Sequence, residues 1–256
     1  MILRRLTEHV KAQNWFAVAI DFVIVVMGVF IGIQVSNWNA ARLERAVERE
    51  TLIRLYADIE ESIVGQSRDL GFLRQQLADQ EVVIAGLMSC TVAPEDDLAF
   101  QRGVTSLAYI NPPRLYRRTV DEIAASGRTD IFRNPEITAE LARIVAIVEW
   151  RAAGHAQIIA TAEHYRRNLE SRVRHDLTRV IDDPFIPNHR AAIEYDIEAL
   201  CQDETLANGV SAISYQTQER LEAYTPILES FRKFLPMIAD DLKSRWGVEL
   251  PEARRS

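Results

Sequence analysis

The chain of 256 residues is 48% hydrophobic and has a formal net charge of −7 at pH 7. This composition is sufficient for one sizeable hydrophobic core in addition to a membrane segment. Residues 1–38 contain three basic and two acidic side chains, so the remaining 218 residues have a net charge of −8. Phosphate backbones and anionic lipid surfaces repel an acidic domain, which argues against nucleic-acid binding.

The first fourteen residues predict a short amphipathic helix that lies at the membrane surface. Leu3, Leu6 and Val10 share one helical face, and the basic side chains lie elsewhere. A frayed basic tail is the alternative. The apolar region that follows is too long for a cleaved signal peptide and has no small-residue cleavage site after it. We therefore expect an uncleaved signal anchor.

Residues 15–38 predict a transmembrane helix. Between Phe16 and Val35 only Asp21 and Gln34 are strongly polar. A helix of about twenty such residues is roughly 30 Å long, the hydrocarbon thickness of a bilayer. Amphipathic aromatic side chains favour the two membrane–water boundaries, and the tryptophans that flank this run are therefore predicted as interfacial anchors: Trp15 and Trp38.

One face of this span contains small and acidic residues. Asp21, Gly28 and Gly32 lie within about 40° of one line along the helix. The glycines form a Gly-x-x-x-Gly pattern, which lets two helices approach closely in lipid. The face is predicted to pack against a second copy of the chain or a partner's membrane helix, with Asp21 hydrogen-bonded across it. Alternatively, Asp21 reaches the headgroups and the glycine spacing is incidental.

The orientation of the span is not decided by charge, because three basic residues lie close to each of its ends. The fourteen residues before it are too few for a domain, whereas long domains are translocated largely regardless of charge. We therefore expect a single-pass protein of the bacterial inner membrane with its large C-terminal domain in the periplasm.

An apolar stripe with 4-3 spacing continues beyond Trp38, and no proline occurs between Met1 and Ala93. The membrane helix is therefore predicted to continue to about Ser89. Such a stripe is either a coiled-coil seam or the core edge of a helical bundle, and Gly65 and Gly71 favour the bundle. Nine of the eleven stripe positions are apolar: Leu52, Tyr56, Ile59, Ile63, Gln66, Leu70, Leu73, Leu77, Gln80, Ile84 and Leu87.

Local signals divide the next part of the chain into shorter helices. One is predicted around 97–109 and ends before Asn111-Pro112-Pro113. Thr119 and Glu122 have capping-box spacing and predict a short helix that Gly127 closes.

Asn134-Pro135-Glu136 predicts another helix start, and that helix could reach Val180 without meeting a proline. A break at 182–187, a short helix at 189–201 and a long helix at about 204–246 are expected to follow. Asp203 is the predicted cap of the long helix, and its two prolines, Pro226 and Pro236, are expected to kink it.

The expected fold class is all-α, because no run alternates with period two for long enough to predict a sheet. The expected organisation is a short amphipathic segment (1–14), a transmembrane helix (15–38) and an elongated, extramembrane helical bundle (39–256).

The arrangement of the bundle decides whether the two cysteines meet. If 97–126 returns along the first helix and 135–180 runs outward again, Cys90 and Cys201 lie at the same end and can form a disulfide, which needs Cα atoms within about 7 Å. If 97–126 is only a cap, 135–180 returns inward and the cysteines lie far apart. We favour the first arrangement, although two unrelated buried thiols are also compatible with the sequence.

Several segments resemble a family of uncharacterised bacterial single-pass membrane proteins. The resemblance rests on residues 4–15, the apolar span with Asp21 and the motif Gln-Val-Ser-Asn-Trp-Asn at 34–39. Looser similarity extends to Ser126-Gly127 and Asn134-Pro135-Glu136. It implies a membrane anchor and a helical extramembrane domain, and it implies no activity and no catalytic residues.

Three histidines are predicted on the helix after Pro135, at positions 155, 164 and 175. His164 and His175 would lie about 16 Å apart, which is too far for one metal ion. The Glu-x-x-His unit of helical metal sites is also absent. We predict solvated histidines and no cofactor.

Five arginines make a local basic cluster in an otherwise acidic domain. A small anion or an acidic partner could bind there. Ion pairs with the many Asp and Glu side chains are the alternative explanation. The cluster comprises Arg114, Arg117, Arg118, Arg128 and Arg133.

Two functions follow from these features. The sequence contains no nucleophile–base or metal motif of the familiar kinds, so we favour a non-enzymatic interaction or scaffold protein. It would act through its membrane helix and helical faces, with the bilayer and either a second copy or another membrane protein as partners. The alternative is an extracytoplasmic domain that senses a small ligand in a groove between helices and signals through a partner.

Overall fold

The computed structural model describes residues 15–128, 130–185 and 191–250, with only the backbone of residues 15–18. The amphipathic helix predicted for residues 1–14 and the anchoring role of the Trp15 side chain lie outside this description. The chain is divided into two compact units, Met1–Thr51 and Leu52–Ser256. The second unit is called the bundle below.

The first helix, α1, is Trp15–Ser89 and comprises 75 residues. The helix ends at Ser89, as predicted. It extends this far because no proline interrupts its backbone hydrogen bonds before Ser89. Its most apolar 18-residue window has a mean hydropathy of 2.2, and no residue of that window is buried. Residues 19–38 form an exposed apolar helix surface, which makes this segment a candidate membrane span.

Within the bundle the stripe of α1 is the edge of a core, as predicted. Nine of the eleven stripe positions are buried, and Leu77 and Ile84 are half-buried. The fold is all-α, and the described residues include one small two-stranded sheet in addition to the helices. Helical periodicity predicted this surface well because α1 buries one continuous face against the other helices.

Four antiparallel segments build the bundle. After α1, helices α2 (Asp97–Ser106) and α3 (Arg118–Ser126) return along it, since Ser106 bonds Gln76 and Thr119 bonds Asp58. Helices α4 (Pro135–Ala153) and α5 (His155–Glu170) run in the direction of α1 again. The last long helix, α7 (Glu204–Trp246), returns beside them. This is the up-down-up-down arrangement that the sequence analysis favoured.

The prediction of one helix from Pro135 to Val180 is wrong. The helix is interrupted at Gly154 and ends at Glu170. Strand β1 (Arg174–Val180) follows and pairs antiparallel with β2 (Ala191–Glu194). Within β1 the Asp176 carboxylate accepts a hydrogen bond from the backbone N–H of Thr178, a local bond that competes with helix formation.

The helix predicted at 189–201 is also shorter in the structure, where α6 is Ile197–Cys201. It begins after Asp196, whose carboxylate accepts from the backbone N–H of Glu198 at 3.0 Å. Before it, β2 is held by a distant side chain, because the backbone N–H of Ile193 donates to Oε1 of Gln101 at 2.9 Å.

The predicted helix caps are confirmed at three positions. Asn134 and Asp203 accept hydrogen bonds from backbone N–H groups at the starts of α4 and α7, and Gly127 ends α3 with φ of 68°. Thr119 is not the cap of α3, which already begins at Arg118. The Thr119 N–H donates instead to Asp58 of α1 at 2.8 Å.

Candidate functional site

Two apolar clusters fill the bundle, and polar side chains lie between them along the helices. The first cluster includes residues 52–73 of α1, 137–148 of α4 and 224–242 of α7. The second includes residues 83–87 of α1, 162–169 of α5 and 206–213 of α7. The intervening positions form what we call the polar layer: Gln76, Gln80, His155, Gln216, Thr217 and Arg220.

Gln76 connects the polar layer to two other parts of the bundle. Its amide nitrogen donates to the backbone oxygens of Ser106, at 2.5 Å, and Tyr109, at 3.2 Å. Its amide oxygen accepts from Nη2 of Arg220 at 3.3 Å. One buried side chain of α1 therefore satisfies carbonyl groups at the end of α2 and also positions a charged group of α7.

His155 lies half-buried at the start of α5. Its Nε2 is 3.0 Å from the backbone oxygen of Ile110. A carbonyl oxygen only accepts, so Nε2 carries the proton. Burial is the largest cause that lowers the pKa of His155, and the charge of Arg220 lowers it further, against the opposing effect of the Ile110 bond. The imidazole is therefore neutral at neutral pH.

The histidine prediction is thus only partly correct. His155 is not solvated, and its Nδ1 is buried without a partner among the described residues. His164 on α5 and His175 on β1 are exposed, but they do not share one helix. Within residues 15–128, 130–185 and 191–250, no three His, Cys, Asp or Glu side chains form a group that could hold a metal ion.

Arg220 is the central group of the polar layer. It is only 3% exposed, and its Nη2 donates to Gln76 and, at 3.0 Å, to the hydroxyl of Thr217. Its Nη1 is buried and has no partner among the described residues, and no carboxylate of that part of the chain pairs with it. Burial lowers the pKa of Arg220 to about 10, so the guanidinium remains charged at neutral pH. Buried charges in proteins are normally paired.

A cavity of about 450 Å³ lies beside Arg220, between the α4–α5 junction and α7. Arg220, Gln216 and the buried Tyr224 line it from α7. Trp150 and Arg151 line it from α4, where the Arg151 guanidinium lies 4.4 Å from the centre of the Trp150 ring. The arrangement is an open cavity with a buried cation and several apolar or aromatic walls.

The arginine cluster predicted from the sequence is largely engaged in ion pairs. Arg114 pairs with Asp69 at 2.9 Å, Arg117 pairs with Glu149 at 2.7 Å and with Asp121, and Arg118 pairs with Asp58 and Glu61. Hydrogen bonding to these acids raises the pKa of Arg114 and of Arg117. The backbone N–H of Arg128 donates to Ser126, and Arg133 also has an interaction partner. The structure therefore favours the alternative explanation for the first three arginines.

These ion pairs accompany a series of hydrogen bonds between α1 and the chain segment before α3. Side-chain oxygens of Asp58, Ser62 and Gln66 accept from the backbone N–H groups of Thr119, Tyr116 and Arg114, respectively. Four helical residues advance by about 6 Å, and two extended residues advance by about 6.6 Å. The spacing from Ser62 to Gln66 therefore matches that of the two extended residues from Arg114 to Tyr116, whereas three residues separate Tyr116 from Thr119, where α3 has begun.

The predicted membrane face is open in the single chain. Asp21, Gly28 and Gly32 are exposed, and a Cβ atom added to either glycine would meet nothing within 4 Å. Trp38 is also exposed. The face is thus available to another helix, and none of the described residues packs on the glycines.

The two cysteines are joined in the structure. Cys90, which follows α1, and Cys201, the last residue of α6, form a disulfide with a Cα–Cα distance of 5.4 Å. The return of α2–α3 and the second outward run of α4–α5 bring these positions together.

Sequence reasoning missed the polar layer, although a signal for it exists. Arg220 lies within a 4-3 repeat of α7 whose neighbouring members are Thr217 and Tyr224. The outer members of that repeat, Ile213 and Ile227, are buried core residues. An arginine at such a position is predicted to face the core.

Comparison of the chain with protein-family models, curated proteins and solved structures found no match.

Proposed function

We propose that this protein is a non-enzymatic, membrane-anchored interaction protein of the bacterial inner membrane. Residues 15–38 of α1 would cross the bilayer, and the bundle would lie in the periplasm. One observation carries this proposal: residues 19–38 form an exposed apolar helix with an open face of small residues. An exposed apolar surface that extends over a helix of twenty residues is typical of a membrane or protein interface.

The disulfide supports the periplasmic orientation. Bonds of this kind form and persist in oxidising compartments, of which the bacterial periplasm is one, and they are rare in the cytosol. Cys90 and Cys201 both belong to the bundle, so an oxidising environment around the bundle is consistent with the bond.

The partner that fits the open face is another membrane helix. Gly28 and Gly32 allow backbones to approach closely, which strengthens dispersion contacts where lipid provides no hydrophobic driving force. Asp21 on the same face can donate or accept a hydrogen bond across such a contact, which reduces the cost of placing it in the span. A second copy of this chain and a different membrane protein both fit.

The orientation is tested with C-terminal fusions to alkaline phosphatase and to a fluorescent reporter that folds only in the cytoplasm. We expect phosphatase activity without fluorescence. A fluorescent fusion without phosphatase activity would contradict the periplasmic orientation.

The membrane face is tested in a membrane two-hybrid assay of the full chain. The double substitution of Gly28→Ile and Gly32→Ile should abolish association, because bulky side chains hold the backbones apart. The matched control is Val26→Ile with Phe30→Ile, which changes the opposite face of the same helix and should leave association unchanged. Equal association of all three proteins would show that the glycines do not form the interface.

A second candidate function is favoured by the cavity beside Arg220. A buried cation at an open cavity is typical of a small-ligand site. The bundle would then sense an extracytoplasmic ligand and signal through the partner of the membrane helix.

A further inference from the structure

The guanidinium of Arg220 is a buried cation whose charge no acid of the described chain balances. Its hydrogen bonds to the described residues all go to neutral groups: the amide oxygen of Gln76, the hydroxyl of Thr217 and, at 3.4 Å, the backbone oxygen of Gln216. These bonds use Nε and Nη2 and leave Nη1 without a protein acceptor among the described residues. Since an uncompensated buried charge is destabilising, such a group indicates an anionic partner that is not part of the chain.

The cavity gives this partner a place. Arg220 lines it together with the half-buried Ile158 and Ala223 and the buried ring of Tyr224. Its volume of about 450 Å³ lies within the usual range of small-molecule sites, about 300–1,000 Å³. Such a space accommodates a small organic molecule with an apolar portion.

The charges around the cavity limit the ligand further. Arg151 and Arg220 are its cationic lining residues, and Glu219, which is exposed, is its acidic one. Together they leave one excess positive charge at the cavity. A single negative charge is thus balanced there, whereas a dianionic phosphate would not be.

We propose that this cavity binds a small monocarboxylate with an apolar or aromatic group, whose carboxylate is held by Arg220. The apolar portion packs against Ile158, Ala223 and Tyr224. Nη1 of Arg220 has two N–H groups that no described residue accepts, and a charged N–H donor forms a strong hydrogen bond with a carboxylate oxygen. The biological role of this site rests on the second candidate function, ligand sensing. Binding of the ligand is nevertheless measured independently of any signal or membrane partner.

The experiment measures binding of benzoate to the full-length protein in mild detergent by isothermal titration calorimetry. Benzamide is the matched ligand control, because it has nearly the same shape without the charge. We expect saturable binding of benzoate, at least about tenfold weaker binding of benzamide and little competition by inorganic phosphate.

The matched protein variants are Arg220→Met and Arg232→Met, which each remove one positive charge from α7. Arg232 is exposed and does not line the cavity. Arg220→Met should raise the Kd of benzoate at least about tenfold, whereas Arg232→Met should leave it unchanged. Arg220→Met should also keep the thermal stability of the protein without ligand, because it removes a buried unpaired charge. If that variant does not fold, Ala223→Phe decides the question, since it fills the cavity while Arg220 remains and should also abolish benzoate binding.

Four results would overturn the inference. They are no saturable benzoate binding up to about 10 mM, equal binding of benzamide, equal displacement by phosphate, and benzoate binding retained by Arg220→Met or, where that variant does not fold, by Ala223→Phe. If benzoate binds in cells or membranes but has no effect on the partner of the membrane helix, the binding site stands and only the sensing function is contradicted.

Discussion

Ser62 is fully buried on α1 and makes two hydrogen bonds with different roles. Its hydroxyl donates to the backbone oxygen of Asp58, one turn earlier in the same helix, at 2.6 Å. Its oxygen also accepts from the backbone N–H of Tyr116 at 2.9 Å. The second bond satisfies the backbone donor of a half-buried residue that lies outside helices and strands, so it is the one on which the position of that segment depends.

Substitution of Ser62 by alanine is expected to lower the free energy of unfolding by about 1–3 kcal/mol, because the N–H of Tyr116 loses its acceptor. Urea denaturation measures the change. Ser230→Ala is the matched control: the Ser230 hydroxyl likewise donates to the carbonyl oxygen four residues earlier, that of Pro226, but it accepts no hydrogen bond from another segment of the described chain. The control should change stability by less than about 0.5 kcal/mol. Equal losses would show that the bond to Tyr116 contributes nothing.

His155 makes the stability of the bundle depend on pH. Burial and Arg220 lower its pKa in the folded state, whereas an unfolded histidine titrates near 6.5. The unfolded state therefore binds the proton more readily, and the free energy of unfolding should decrease as the pH falls from about 6.5 towards the lowered pKa.

Substitution of His155 by glutamine should flatten this decrease between about pH 7 and pH 5, because glutamine can still donate to the oxygen of Ile110 but does not titrate. Thermal unfolding across this pH range measures the slope. His164→Gln, which removes an exposed histidine of the same helix, should leave the slope unchanged. A wild-type slope in the His155 variant would contradict the assignment.

At the scale of the elements, the backbone of α2 at Gly103 lies so close to α1 that it leaves no room for a side chain. A Cβ atom at this position would lie 2.5 Å from the backbone oxygen of Asp79 and 2.6 Å from a methyl group of Val83. Backbone cannot move aside as a flexible side chain can. The absence of a side chain at Gly103 therefore determines how closely the returning helix approaches.

Gly103→Ala is expected to lower the free energy of unfolding by about 1–3 kcal/mol, although alanine has the higher helix propensity, because overpacking outweighs that gain. Gly154→Ala is the matched control, since the nearest atom to its added Cβ would be the backbone oxygen of Arg151, at 3.9 Å. It should be neutral or stabilising by up to about 1 kcal/mol. Chemical denaturation of both variants measures the difference, and a stabilised Gly103 variant would refute the close contact.

At the scale of the whole molecule, the disulfide joins chain positions that are 111 residues apart. Such a bond reduces the conformational entropy of the unfolded chain, and a loop of about this length corresponds to about 4–5 kcal/mol. The bond also links the end of α1 to the end of α6, which directly precedes α7. Helices α1 and α7 are the two longest of the described chain.

The double substitution of Cys90→Ser and Cys201→Ser should therefore lower the free energy of unfolding by up to about 4–5 kcal/mol under non-reducing conditions. With reductant, the variant and the wild-type protein should unfold alike, which is the internal control. Non-reducing peptide mapping after thiol blocking should recover the linked peptides. Two free, alkylated cysteines would contradict the bond.

The parts of this structure that the sequence predicted depend on local interactions. A proline-free 4-3 stripe implies a long helix, and Asn134, Asp203 and Gly127 mark helix ends through bonds that span only a few residues. Such interactions need no knowledge of the rest of the fold. The apolar span is predictable for the same reason, because length and hydropathy are properties of one segment.

The parts that only the tertiary structure decided depend on contacts between distant residues. Strand β2 is short, and its Ile193 N–H is satisfied by Gln101, 92 residues earlier. Arg220 bonds Gln76, 144 positions away, and its environment exists only after α1, α4, α5 and α7 have packed. A sequence shows that an arginine occupies a core position of a helix. Whether an acid, a neutral amide or an open cavity meets its guanidinium is decided by folding, because the groups around it come from separate parts of the chain.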